Sequence, residues 1–201
     1  MEEAVFFKCG DIRLSGLMHR GNRDRAAVIT HPHPLYGGDM HNFVVETVSR
    51  ACWSAGYSTL RFNFRGTGQS QGEYSGGVEE QDDVAAAVSY LTETGCSQID
   101  LAGYSFGAWV CALGAHKYGK INRMVLVSPP VAFVDFKGIA SLPSLAAVVT
   151  GSDDEFAPPD IIRAMIPAWN PGARFHVIDG ADHFYFGYDR ELEKIIKEAL
   201  R

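Results

Sequence analysis

No stretch of the 201-residue chain is long and apolar enough to cross a bilayer, which takes about 18 consecutive apolar residues. The opening MEEAVFFKCG starts acidic and holds only a short apolar run, so it does not read as a secretory leader. Cysteine is sparse. Cys9, Cys52, Cys96 and Cys111 are widely spaced and none belongs to a CxxC pair, which argues against a zinc ribbon or a dithiol redox site. Basic clusters are missing too. The 18 Lys and Arg are outnumbered by 24 Asp and Glu, for a net charge of −6, and a chain with no basic stripe is a poor binder of a nucleic-acid backbone. There is no internal repeat, low-complexity segment or Pro/Ser-rich linker. These absences leave an ordinary globular protein, expected in the cytoplasm. One domain over residues 1–201 is expected, with neither a membrane nor a nucleic acid as partner.

What is present is alternation. EAVFFKC and IRLSGLMH flank Gly10-Asp11, a hairpin signal. AAVITH is a short apolar run and predicts a buried strand. Between Asn42 and Ala55, Val44, Val45, Val48, Ala51 and Cys52 recur at helical spacing, with Gly56 as the stop. YSTLRFNF predicts a strand. Val84, Ala87, Val88 and Leu91 predict a helix whose first turns are acidic, as the helix dipole favours. QIDLAGY and FGAWVCALGAH continue as strand and helix, INRMVLVS, SLAAVVTG and RFHVID as strands. A last helix has Leu192, Ile195, Ile196 and Ala199 on its apolar face. This order implies an α/β fold: a mostly parallel sheet of about eight strands, an antiparallel leading hairpin, and helices on both faces. In such sheets ligands bind beyond the carboxyl ends of the strands, so the loops after AAVIT, STLRFNF, IDLAGY, AAVVT and FHVI should hold any site.

One of those loops reads GYSFG, residues 103 to 107. G-x-S-x-G alone is a weak signal, but here it joins a predicted strand to a predicted helix, a sharp turn that exposes the serine oxygen at the top of the sheet. The bland alternative is a serine that caps the helix. A nucleophilic serine needs a base and an orienting carboxylate. Of the seven histidines, only His183 lies in a carboxyl-end loop downstream of the acidic segment GSDDEFAPP. That segment offers Asp153 and Asp154, whose side chains should point different ways; Asp179 and Asp182 are further candidates but sit too close to His183 in sequence to be preferred. An oxyanion hole needs backbone N–H groups, one expected from Phe106. In the loop after the third strand Pro32 and Pro34 have no N–H, which leaves His33 and Leu35. FRGTGQSQG matches neither phosphate-binding pattern and reads as a tight loop with Arg65 in a structural ion pair.

GYSFG, GSDDEFAPP and GADHF together resemble the α/β-hydrolase superfamily. HPHPLYGGDMHN and NFRGTGQSQG narrow the resemblance to small bacterial hydrolases related to dienelactone hydrolases. It covers nearly the whole chain. It implies the α/β-hydrolase fold with Ser105 as nucleophile, His183 as base and no cofactor. The spacing from Gly151 to Asp154 and on to Ala157-Pro158 matches the family's acid loop and selects Asp154. The family pattern favours Leu35 for the second oxyanion N–H. One departure is plain: dienelactone hydrolases use a cysteine nucleophile where this chain has Ser105, which points to ordinary ester chemistry. Lids in this fold sit between the sixth and seventh strands, and residues 128 to 144 are too few for a lid domain. An open site for small acyl esters with short chains is therefore expected, with thioesters, lactones and amides as alternatives.

Two rivals come from the same residues. His31, His33, Asp39 and His41 suggest a metal hydrolase, but prolines and glycines interrupt the cluster and no zinc spacing fits. A ligand-binding module with little catalysis is the other. Pro130, Val131, Phe133 and Phe136 are candidates for one pocket wall, and Trp109 for the core. Phe184, Tyr185 and Phe186 read either as pocket wall or as an apolar patch for a second copy in a homodimer.

Overall fold

The computed structural model describes residues 1–139 and 141–200. Its strands are β1 (Glu2–Cys9), β2 (Ile12–His19), β3 (Asn22–Thr30), β4 (Tyr57–Phe62), β5 (Gln98–Tyr104), β6 (Arg123–Val127), β7 (Leu145–Gly151) and β8 (Arg174–Ile178). Its α-helices are α1 (Phe43–Ser54), α2 (Glu80–Glu93), α3 (Phe106–Leu113), α4 (Pro159–Trp169) and α5 (Asp189–Ala199). All eight strands form one sheet in the order β1-β2-β4-β3-β5-β6-β7-β8. β1 pairs antiparallel with β2, and β2 antiparallel with β4; every later pairing is parallel. This is the α/β-hydrolase fold.

The period of two along each strand divides the core into two layers. In β3, Ala26 and Val28 face one layer while Ala27 and Ile29 face the other. In β6, Met124 and Leu126 alternate with Val125 and Val127 in the same way. The first layer is covered by α2, α3 and α4 through Val84, Cys111 and Ile162. The second is covered by α1 and α5 through Val45, Val48, Leu192 and Ile196. The inner strands β4 to β7 are buried on both faces, which is why they read as short apolar runs rather than as alternating ones.

Differences from the expected elements are local. β3 starts at Asn22, before its apolar run, and β4 stops at Phe62 rather than Phe64. α3 ends at Leu113, where Gly114 takes over as cap. A short 3₁₀ turn, Pro34–Tyr36, follows β3. The β6–β7 connection, residues 128–144, contains no helix among its described residues. No helix of the described residues is long and apolar enough to cross a membrane.

The sheet order sets the place of a site. β3 lies between β4 and β5, so the chain leaves β3 toward one side and β5 toward the other. The crevice at such a switch point is where open α/β sheets receive ligands.

Candidate active site

Ser105 occupies that crevice. It joins β5 to α3 with φ 53° and ψ −120°, a conformation a serine holds only at a cost of about 1–3 kcal/mol. Two backbone bonds pin it: its N–H donates to the Val127 carbonyl (2.9 Å), and its own carbonyl accepts from Trp109 N–H (3.2 Å). The flanking glycines permit close packing. A Cβ at Gly103 would stand 2.6 Å from Ala108 Cα, and one at Gly107 would stand 2.4 Å from Thr30 Oγ1 and 2.8 Å from the His31 carbonyl. The Ser105 side chain makes no capping bond to α3, so the capping reading fails.

The Ser105 hydroxyl meets His183 instead. Oγ lies 2.9 Å from His183 Nε2, and His183 Nδ1 lies 2.9 Å from both oxygens of Asp154. All three side chains are buried. A carboxylate only accepts, so Nδ1 carries the proton and Nε2 turns its lone pair toward the serine hydroxyl. Asp153, by contrast, is exposed and accepts from Ser152 Oγ (2.8 Å). Burial pushes the Asp154 carboxyl up, but the hydrogen bond and charge of His183, with bonds from Ser128 and the Ala157 amide, outweigh it. The net effect holds Asp154 below the usual carboxylate range, so it stays ionised beside His183. Its Oδ1 also accepts from the N–H groups of Phe156 (3.0 Å) and Ala157 (2.8 Å).

The loops carrying Asp154 and His183 are joined directly. Asp153 N–H donates to the Ala181 carbonyl (3.0 Å), and Gly180 N–H to Ser152 Oγ (2.8 Å). The Tyr104 hydroxyl donates to the His183 carbonyl (2.9 Å), tying the histidine loop to the strand that ends at the serine.

The loop after β3 differs from expectation. Leu35 does not reach the crevice: its N–H donates to His33 Nδ1 (3.2 Å) and its side chain is 68% exposed. The histidine side chain caps the 3₁₀ turn and takes the amide that the family pattern had favoured. His33 itself lines the crevice, and its N–H is the one that remains between Pro32 and Pro34. Phe106 is the first residue of α3, where helical N–H groups have no intrahelical acceptor.

The histidine-rich segment does not converge on a metal. His31 donates from Nδ1 to the Pro32 carbonyl (2.7 Å) and accepts at Nε2 from Phe64 N–H (3.0 Å). His33 Nε2 bonds the Tyr74 hydroxyl (3.0 Å), and Asp39 accepts from His41 N–H (2.7 Å). Among the described residues no group of three His, Cys, Asp or Glu side chains is arranged to hold a metal ion. Arg65 pairs with Asp83 (2.7 Å) and with Glu79, so the glycine-rich loop is held by an ion pair.

Around the serine lies a cavity of about 460 Å³. Pro130 and Phe133 line it, joined by Val134 and Phe156, which the sequence had not singled out. Phe136 is instead buried against Trp169, and Val131 packs on the core. Trp109 is half-buried against Phe106, its indole N–H donating to the Asp135 carbonyl (3.0 Å). Phe184 lines the cavity, Tyr185 is fully buried, and Phe186 is exposed against Phe43.

A family model for alpha/beta hydrolases matches residues 36–148, more than half the chain. The chain belongs to the alpha/beta hydrolase family. A solved alpha-beta serine hydrolase homologue from Coxiella burnetii is 33% identical, with a TM-score of 0.91 over 99% of this chain and 97% of that one. An a/b serine hydrolase without a lid from Xanthomonas campestris is 26% identical, with a TM-score of 0.89 over 100% of this chain and 94% of that one. An uncharacterised protein of Rickettsia prowazekii is 31% identical over 98% of this chain and 87% of its own length. The fold of this alpha/beta hydrolase is thus that of the lidless serine hydrolases.

Proposed function

We propose that the protein hydrolyses small carboxylic esters, with Ser105 as nucleophile, His183 as general base and acid, and Asp154 as the orienting carboxylate. The observation that carries this reading is the unbroken line from Ser105 Oγ to His183 Nε2 (2.9 Å) and from His183 Nδ1 to Asp154 (2.9 Å), at a strained serine that opens into a cavity.

His183 takes the proton as Ser105 Oγ attacks the acyl carbon. Asp154 holds the imidazole tautomer and stabilises the imidazolium. The N–H groups of Phe106 and His33 receive the negative oxygen of the tetrahedral intermediate. His183 then gives its proton to the departing alkoxide, the ester C–O bond breaks, and the acyl group stays on Ser105. Water, deprotonated by His183, adds to the acyl carbon; the bond from that carbon to Ser105 Oγ breaks, His183 returns the proton to Oγ, and the acid leaves. One ester and one water become one acid and one alcohol.

Short acyl chains fit best, because the 128–144 connection forms no helix among its described residues to cover a long chain. Cys9, Cys52, Cys96 and Cys111 are all free thiols, which suits a reduced, cytoplasmic setting. The test is a series of ethyl esters from acetate to decanoate with wild type and Ser105→Ala. Wild type should hydrolyse acetate and butyrate faster than decanoate, and the variant should lose about 10⁴-fold or more in kcat with an unchanged circular dichroism spectrum. A folded Ser105→Ala protein with wild-type turnover would refute the mechanism.

A further inference from the structure

The wall around Ser105 is a continuous arc of rings. It starts at Phe106, whose N–H faces the crevice in the proposed mechanism, and passes to His33 (centroids 5.0 Å apart), then to Tyr36 (4.8 Å). It continues through Phe133 (6.4 Å) and Phe156 (6.0 Å) and ends on His183 itself (4.9 Å). The Tyr36–Phe133 and Phe133–Phe156 pairs meet edge to face, with interplanar angles of 71° and 72°. Neighbouring rings in this stretch of the wall thus stand at steep angles to one another. Tyr36, Phe133 and Phe156 are left 76%, 55% and 39% exposed, although such rings ordinarily seek cover.

Charge is the second observation. Among the described residues no Lys, Arg, Asp or Glu side chain lines the cavity. The four loops that frame its mouth, residues 31–42, 128–144, 152–158 and 179–187, contain one lysine, Lys137, and no arginine. They do contain Asp39, Asp135, Asp153, Glu155, Asp179 and Asp182, besides Asp154. These loops thus carry a net negative charge around the cavity. An anionic substrate meets repulsion at the mouth and finds no counter-charge inside.

We propose that the site selects uncharged esters that place an aromatic ring next to the scissile bond, and rejects anionic ones such as thioesters of phosphorylated carriers. This rests on the serine-esterase reading above and gives it a substrate class. The ring seats against Phe133 and Phe156, which both line the cavity, while the ester carbonyl lies over Ser105. The ring enters on either the acyl or the alcohol side, since the arc runs from the Phe106 side of the serine to the His183 side.

Matched pairs test it, followed by proton release: benzyl acetate against cyclohexylmethyl acetate, and methyl phenylacetate against methyl cyclohexylacetate. Each pair keeps bulk and leaving group close while removing the π-system. At least one aromatic ester should exceed its saturated partner about threefold to tenfold in kcat/KM, and the pair that does so identifies the side on which the ring binds. Phe133→Leu, which keeps the wall apolar, should bring that ratio toward one. 4-Carboxybenzyl acetate should fall at least about tenfold below benzyl acetate. Ratios of one or less in both pairs, with ethyl butyrate still hydrolysed, would overturn the aromatic preference and leave the esterase reading intact. Equal rates for the carboxylated and neutral benzyl esters would overturn the charge selection. No hydrolysis of any ester by folded protein would overturn both readings together.

Discussion

Among the described residues, three that are not glycine hold a positive φ: Ser105 (53°), Ser128 (45°) and Tyr185 (57°). Ser128 and Tyr185 share a buried hydrogen bond of 2.7 Å, and the Ser128 hydroxyl is also a hydrogen-bond partner of Asp154. Each such conformation costs about 1–3 kcal/mol, so strain in this fold gathers on one line from Ser105 to the support of Asp154. His31 is a different kind of residue. Fully buried, with both ring nitrogens bonded to backbone, it is pushed down to about 4, chiefly by burial. From its ordinary 6.5 down to about 4 the unfolded chain takes up a proton that the folded protein refuses. Stability should therefore fall as pH drops through that window, by about 3 kcal/mol in full. Asp154 acts elsewhere: a carboxyl held below 3.8 loses its contribution only on further acidification. Urea unfolding between pH 7.5 and 4.5 checks this. The wild-type midpoint should fall more steeply than that of His31→Gln, and parallel profiles would assign the loss to other groups.

At the scale of elements, the site depends on two loops lying against each other. A Cβ on Gly151, at the end of β7, would stand 2.0 Å from the Ala181 carbonyl in the loop that carries His183. Backbone cannot yield there without parting Asp154 from His183. Gly151→Ala should cost about 1–3 kcal/mol in urea unfolding and lower kcat, whereas unchanged values for both would show the loops to be independent. Some of these elements were legible in the sequence and some were not. The inner strands and the helices α1, α3 and α5 announce themselves because burial on both faces leaves only short apolar runs and helical spacing. The start of α2 misleads: Glu80 and Asp83 resemble a solvated acidic turn, yet both are fully buried. Glu80 accepts from Ser75 N–H (2.7 Å) and Gly77 N–H (2.8 Å), and Asp83 pairs with Arg65, partners that no local pattern reveals.

Across the whole molecule, the reversal of strand order between β3 and β5 brings loops from Pro32 to Phe184 to one crevice. Loop order was enough to expect Ser105, His183 and one of two aspartates there. Choosing Asp154 over Asp153 took the family's spacing, and geometry now separates the two. Between the two candidate amides of the β3 loop, nothing in the sequence indicates that the His33 side chain bonds the Leu35 N–H. The ring arc was hidden for a similar reason. Tyr36, Phe133, Phe156 and His183 come from four separate loops with no shared period, and only the fold brings them round the serine. The central claim is that this crevice activates Ser105. Its most direct measurement is the intact mass of the protein after exposure to a fluorophosphonate, with peptide mapping. The account predicts one adduct, on Ser105, lost in His183→Ala. Folded wild-type protein that gains no adduct, or gains it at another residue, would contradict it.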